Sequence, residues 1–304
     1  MIKVQDIAYV RFTAPDLDTM QQFGLDFGLV VSARTEDALH LRATDPTPYC
    51  HVTERGEAGF VGAGFEAASY EDLVAASKLD GASGIRKLDG PGGGQCVRFV
   101  DPDGVEIDIV HGRERPEPLP VPVAAGVNRG SERGRLGRVH RPPAGPSSVK
   151  RLGHVVFRVS DFKRSAEWYQ SRFGFLASDE IYIGEPENVI TAFMRCDRGS
   201  DYADHHTLLC VGLGEPGFDH AAFEVEDVDA LMAGHDLLES RGYAHHAGVG
   251  RHVLGSQIFD YWKDPWGHVV EHFTDGDLLN ADHETGSYDP GTALGTLWGD
   301  FSAG

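Results

Sequence analysis

Two long stretches of this chain are copies of one pattern, and that repetition limits the fold more than any other feature. GEAGFVGAGFE (Gly56–Glu66) recurs as GEPGFDHAAFE (Gly214–Glu224), and FVDPDGVEIDIV (Phe99–Val110) is echoed by YWKDPWGHVVEHF (Tyr261–Phe273). The segments that open each copy also correspond: IAYVRFTAPDLDTMQQF begins at Ile7 and LGHVVFRVSDFKRSAEWY at Leu152. Internal repetition of this kind means that one supersecondary unit has been used more than once. In each copy an apolar strand (Ile7–Phe12, Leu152–Val159) leads into a short amphipathic helix (Leu17–Phe23, Phe162–Phe173). In the second of these, Phe162, Ala166 and Tyr169 keep helical spacing. Further strands follow, then a second strand–helix–strands cycle with helices near Glu71–Ser77 and Val228–Ser240. Asp101-Pro102-Asp103-Gly104 and Asp264-Pro265-Trp266-Gly267 have type I turn composition and join the last two strands of each copy. The predicted fold is α+β, with two tandem domains each built of two βαβββ units.

Between the copies the pattern breaks. Residues 113–149 are rich in Pro, Gly and Arg and show neither period, so they read as a linker. The predicted organisation is an N-terminal domain (1–112), the linker (113–149), a second domain (150–277) and a C-terminal tail (278–304). The linker arginines Arg129, Arg133, Arg135, Arg138 and Arg141 are expected to pair with an acidic body rather than with nucleic acid, because the net charge is −20. Four unpaired cysteines, Cys50, Cys96, Cys196 and Cys210, read as reduced thiols. No apolar run approaches the roughly 20 residues that span a bilayer, and the start at Ile2-Lys3-Val4 has no signal-peptide pattern. A cytoplasmic location is expected. There is no GxSxG elbow or CxxC pair, and Gly92-Gly93-Gly94 lacks a strand–helix frame and reads as a hairpin loop.

Three residues of the second copy stand out. His154 lies in an apolar strand. His220 shares a strand face with Ala222, whose small side chain leaves room beside it. Glu271 shares a strand face with Val269 and Phe273. A carboxylate on an apolar inward face is costly unless paired or metal-bound. Two imidazoles and one carboxylate on one side of an ion leave open positions, the arrangement of non-haem Fe(II) oxygenases. In the first copy the corresponding residues are Tyr9, Gly62 and Asp108, so both imidazoles are missing there. Asp108 is expected as a surface or capping carboxylate.

The whole pattern resembles the vicinal oxygen chelate (glyoxalase/bleomycin resistance/dioxygenase) superfamily, whose paired βαβββ units curl into half-barrels around a central pocket. The run Gly250–Glu271, GRHVLGSQIFDYWKDPWGHVVE, is similar to the signature of type I extradiol ring-cleavage dioxygenases, as is the pair His205-His206 fourteen residues ahead of His220. One departure is visible: Asp260 stands where that family usually has an aliphatic residue.

The resemblance implies an oxidoreductase of aromatic compound catabolism that cleaves a catechol beside its diol and incorporates both atoms of O₂. The metal ligands would be His154, His220 and Glu271. The ion would be Fe(II), with Mn(II) also compatible with these ligands. His206 would be the proton shuttle, and His252 and Tyr261 would orient the substrate oxygens. His205, His245 and His246 are expected at the entrance, and His235, His268, His272 and His283 towards solvent or the other domain. Partners would be a small catechol and O₂, with assembly as a homo-oligomer. The rival readings are a glyoxalase-like isomerase, a 2-oxo-acid-dependent dioxygenase, and a non-catalytic protein that binds an aromatic ligand.

Overall fold

The computed structural model describes residues 1–122, 126–293 and 295–299. Its first unit is β1 (Val4–Ala14), α1 (Leu17–Phe27), β2 (Val30–Arg34), β3 (Ala38–Arg42) and β4 (His51–Arg55). The second repeats it as β5 (Gly59–Ala67), α2 (Tyr70–Ala76), β6 (Arg86–Lys87), β7 (Gln95–Val100) and β8 (Glu106–His111). Together they make one sheet in the order β2-β3-β4-β1-β5-β8-β7-β6. The two opening strands, β1 and β5, therefore lie side by side at its centre.

The linker holds a small ribbon, β9 (Asn128–Arg129) with β10 (Glu132–Arg133), which the absence of any period did not foretell. Among the described residues Arg129, Arg133, Arg135, Arg138 and Arg141 form no ion pair, whereas Arg113, at the head of the linker, pairs with Glu66. His140 makes a further contact from this segment to the acidic body, on Asp229.

The second half runs β11 (Val149–Arg158), α3 (Phe162–Phe173), β12 (Leu176–Tyr182), β13 (Val189–Arg195), β14 (Ala203–Asp204) and β15 (Leu208–Val211). It continues with β16 (Gly217–Val225), α4 (Val228–Ser240), β17 (His245–His252), β18 (Ile258–Lys263) and β19 (Val269–Thr274). The last residues supply β20 (Leu278–Leu279), β21 (Gly286–Tyr288), α5 (Pro290–Ala293) and β22 (Thr296–Gly299). β21 and β22 pair with β12 and β17, so they extend the second sheet at both edges, in the order β21-β12-β13-β15-β11-β16-β19-β18-β17-β22. Buried Arg195 anchors this tail by donating to the carbonyls of Asn280 and His283. No helix among the described residues is long and apolar enough to cross a membrane.

The sequence specifies the helix ends through caps. Asp16 accepts from the N–H groups of Asp18 and Thr19, and Asp161, Ser69 and Asp227 do the same for Arg164, Asp72 and Ala230. α1 runs four residues past the predicted Phe23, because Phe27 extends the buried face and Gly28 closes the helix at φ +110°. Both Asp-Pro turns close as expected, with the Gly104 and Gly267 N–H groups bonded to the Asp101 and Asp264 carbonyls.

The halves pack through one shared apolar core. Phe60 stacks on Phe218 at 4.4 Å, and the His272 ring stacks on Phe27 at 3.8 Å while its Nε2 donates to the Phe27 carbonyl. Tyr243 and Tyr169 donate across the boundary to Asp26 and Asp101. The four cysteines are buried and unpaired.

Candidate functional site

Strand register assembles the site. β11, β16, β19 and β18 lie side by side, and His154, Ala222, Glu271 and Tyr261 stand opposite one another across them in a single row. Strand spacing of about 4.8 Å would place His154 and Glu271 two strands apart. Ala222 between them has only a methyl group, so the imidazole and the carboxylate meet above it. His154 Nε2 comes within 3.3 Å of Glu271 Oε2, and His220 Nε2, from two residues along β16, within 3.4 Å. His154 and Glu271 are 1% and 0% exposed.

Both Glu271 oxygens are buried without a hydrogen bond, and so is His154 Nδ1. Leaving such groups unsatisfied is expensive. The donor set therefore fits a divalent ion: bonds of 2.0–2.2 Å hold ligand atoms about 2.9–3.4 Å apart. Asp219 Oδ1, 2.8 Å from His220 Nδ1, holds the proton on that nitrogen and turns Nε2 towards the site, the usual outer support of a ligating histidine. Burial alone would raise the Glu271 carboxyl, but the His154 and His220 imidazoles hold it well below the carboxylate range. Burial opposes the charged form of His220 too, yet Asp219 and Glu271 push it up to about 9. Ala222→Leu is expected to abolish stoichiometric metal binding by filling the gap over which the three side chains meet. Elemental analysis of the folded variant checks this, and a full complement of metal would refute it.

Other predicted residues surround this triad. The His206 ring lies 4.0 Å from that of His154, and Tyr261 meets His220 edge-on at 5.1 Å. His252 Nε2 is 3.0 Å from the Tyr261 hydroxyl, and its ring stacks on Phe259. Burial brings His252 down to about 4 and, with the neighbouring imidazoles, sets His206 well below the usual histidine value, so both rings are neutral at pH 7.

His205 is not at the entrance. It is 3% exposed, with Nε2 2.7 Å from Asp179 Oδ2 and Nδ1 3.1 Å from His206 Nδ1. Asp179, His205 and His206 thus form a buried chain ending beside His154. Asp179 went unremarked in the sequence because it lies on another strand, β12; its one signal was an acid among the apolar positions of LASDEIY. His245 is also away from the entrance, bonded to Asp260. His235 shares that partner, His268 packs on Phe12 of the first half, and His283 is exposed.

The first half repeats the row as Tyr9, Gly64, Asp108 and Arg98. Asp108 is not a surface carboxylate: it is 1% exposed, gripped by Arg98 Nε and Nη2 at 2.7 and 2.8 Å, and accepts from Tyr9 and Arg86. An ordinary guanidinium occupies the position across from this acid that Tyr261 holds in the second half. At the place of His220 there is Gly62, where even a Cβ would lie 1.9 Å from the Glu106 carbonyl oxygen.

Residues 151–272 match the model of the Glyoxalase/Bleomycin resistance protein/Dioxygenase superfamily. Metapyrocatechase 2 of Cupriavidus necator is 30% identical over 305 residues, covering 99% of this chain and 87% of that protein. The chain belongs to the extradiol dioxygenases of that superfamily. A second relative of this extradiol family member, an iron-dependent extradiol dioxygenase of Rhodococcus jostii (strain RHA1), is 26% identical and covers 100% of this chain and 99% of its own length. Among solved structures, an Mn(II)-bound glyoxalase from Novosphingobium aromaticivorans superposes with a TM-score of 0.79 at 21% identity, covering 95% and 89% of the two chains. That likeness concerns the fold alone, which carries more than one chemistry.

Proposed function

We propose that this extradiol family member cleaves a catechol beside its diol with O₂, at an Fe(II) ion held by His154, His220 and Glu271, in the catabolism of aromatic compounds. The observation that carries the reading is the fully buried Glu271 carboxylate, unbonded and within 3.3–3.4 Å of two imidazole nitrogens. A neutral core would have no reason to keep it. The iron-dependent relative in Rhodococcus jostii favours Fe(II) over Mn(II).

The ion, when bound, supplies a Lewis acid for the diol and a one-electron centre for O₂. The chain's own residues supply proton handling and orientation. His206, neutral and buried, has a basic nitrogen beside the site and can take a proton from the catechol, then return it as the ring opens. Asp179 and His205 fix its ring through the nitrogen that faces away from substrate. The His252–Tyr261 pair presents a hydroxyl and an imidazole to the substrate oxygens. Phe193, edge-on to His206 at 5.0 Å, contributes an apolar wall for the ring. Assembly as a homo-oligomer in the cytoplasm belongs to the same reading, and light scattering distinguishes it from a monomer.

The test is anaerobic Fe(II) loading followed by air and a panel of catechols. The expected result is one iron per subunit and a coloured ring-fission product that takes up both atoms of labelled O₂. Iron without ring fission of any catechol, or isomerisation of a thiol adduct of a 2-oxo-aldehyde in its place, would reject it.

A further inference from the structure

Asp260, the residue that departs from the extradiol pattern, is 0% exposed on β18 and draws together two histidines from other elements. His235, on α4, puts Nδ1 3.2 and 3.1 Å from its two oxygens. His245, at the start of β17, puts Nε2 2.8 Å from Oδ1. The two rings stand edge to face, 5.2 Å apart. Trp262 Nε1 donates to Oδ2 at 2.6 Å and so orients the carboxylate, leaving Oδ1 and a further lone pair of Oδ2 free of it.

We infer that His235, His245 and Asp260 form a second metal site, for a divalent transition ion of the zinc type, separate from the triad in the half-barrel. Three observations carry this. One ligand atom from each residue lies within 4.8 Å of the others, with His235 Nδ1 and His245 Nε2 at 3.1 and 2.8 Å from the carboxylate, near the roughly 2.9–3.4 Å between ligands on one ion. Two imidazoles and one carboxylate match the preferences of Zn(II), Ni(II) or Cu(II) and not those of Mg(II) or Ca(II). The site is also half open: Asp260 is sealed in, while the His235 and His245 side chains are 20% and 35% exposed, leaving positions for water and a path for the ion. Asp236 and Glu239 on the same helix add negative charge beside His235. The bound ion would join α4 to the β17–β18 hairpin, whose next residue on β18 is Tyr261.

The test uses the iron-loaded protein dialysed against zinc chloride, with both metals counted per subunit. Wild type is expected to keep its iron and gain one zinc. His245→Ala, a change at an exposed ring that leaves the core intact, is expected to keep the iron and lose the zinc. Glu271→Gln is expected to bind the same zinc without iron, so failure of this site and failure of the iron site are read separately. Zinc should also raise the unfolding temperature of wild type in proportion to the logarithm of its concentration, and not that of His245→Ala. Equal zinc uptake by wild type and His245→Ala would overturn the assignment. So would zinc that enters only as iron leaves.

Discussion

Glu271→Gln is expected to leave a folded protein that no longer holds iron. Glutamine keeps the shape of the side chain but removes the one negative charge among the proposed ligands, and it offers the ion a much weaker donor. Loss of an outer-shell partner alone typically costs about 10–100-fold in metal affinity; loss of the anionic ligand should exceed that. In the metal-free protein the change also removes the anionic partner of the His154 and His220 imidazoles, 3.3 and 3.4 Å away, so some stability is lost as well, but the loss of iron is the larger effect.

Asp108→Asn, the matching change in the first half, should do the reverse. Asp108 is the common partner of Arg98, Arg86 and Arg11, with side chains 21%, 45% and 13% exposed. Breaking a buried ion pair from one side costs about 3–5 kcal/mol, and partial hydration of these guanidiniums argues for the lower end. A loss of about 3 kcal/mol corresponds to roughly 6–12 °C in unfolding temperature, with iron per folded subunit unchanged. Elemental analysis and thermal unfolding of the two variants form one experiment. If Asp108→Asn lost the iron while Glu271→Gln kept it, the proposed site would be in the wrong half.

The contrast between these two acids shows what was legible in the sequence. Repetition and strand alternation sufficed to bring His154, His220 and Glu271 out of fifteen histidines and many acids, because alternation and the match between copies are properties of the backbone. The environment of Asp108 was not legible in that way. Whether an acid on an inward face meets solvent or a cation depends on Arg98 on the neighbouring strand and Arg86 beyond it, and register between strands is not written in either strand alone. His205 and His245 were misplaced for the same reason. Their partners, Asp179 on β12 and Asp260 on β18, lie on other strands. The tail strands β21 and β22 carry too few residues to show a period.

His206→Asn is expected to keep iron and bind catechol, yet turn over about 10²–10⁴-fold more slowly, the usual worth of one positioned acid–base group. The motive is geometric. His206 is 3% exposed, its ring lies 4.0 Å from His154, and one nitrogen is engaged by His205, which leaves the other for substrate. Its neutrality follows from burial first and from the imidazoles around it second, so it is available as a base at pH 7. Asparagine preserves polarity and approximate volume but cannot carry a proton in this range. His220→Asn provides the contrast, since it leaves only two of the proposed ligands and should lose the iron. Iron per subunit and turnover on the best catechol, measured together, separate the two roles. Loss of iron in His206→Asn equal to that in His220→Asn would make His206 a ligand or a structural residue. Iron kept with undiminished turnover would move the shuttle elsewhere, and His252, bonded to Tyr261 on the other side of the triad, would be the next residue to test.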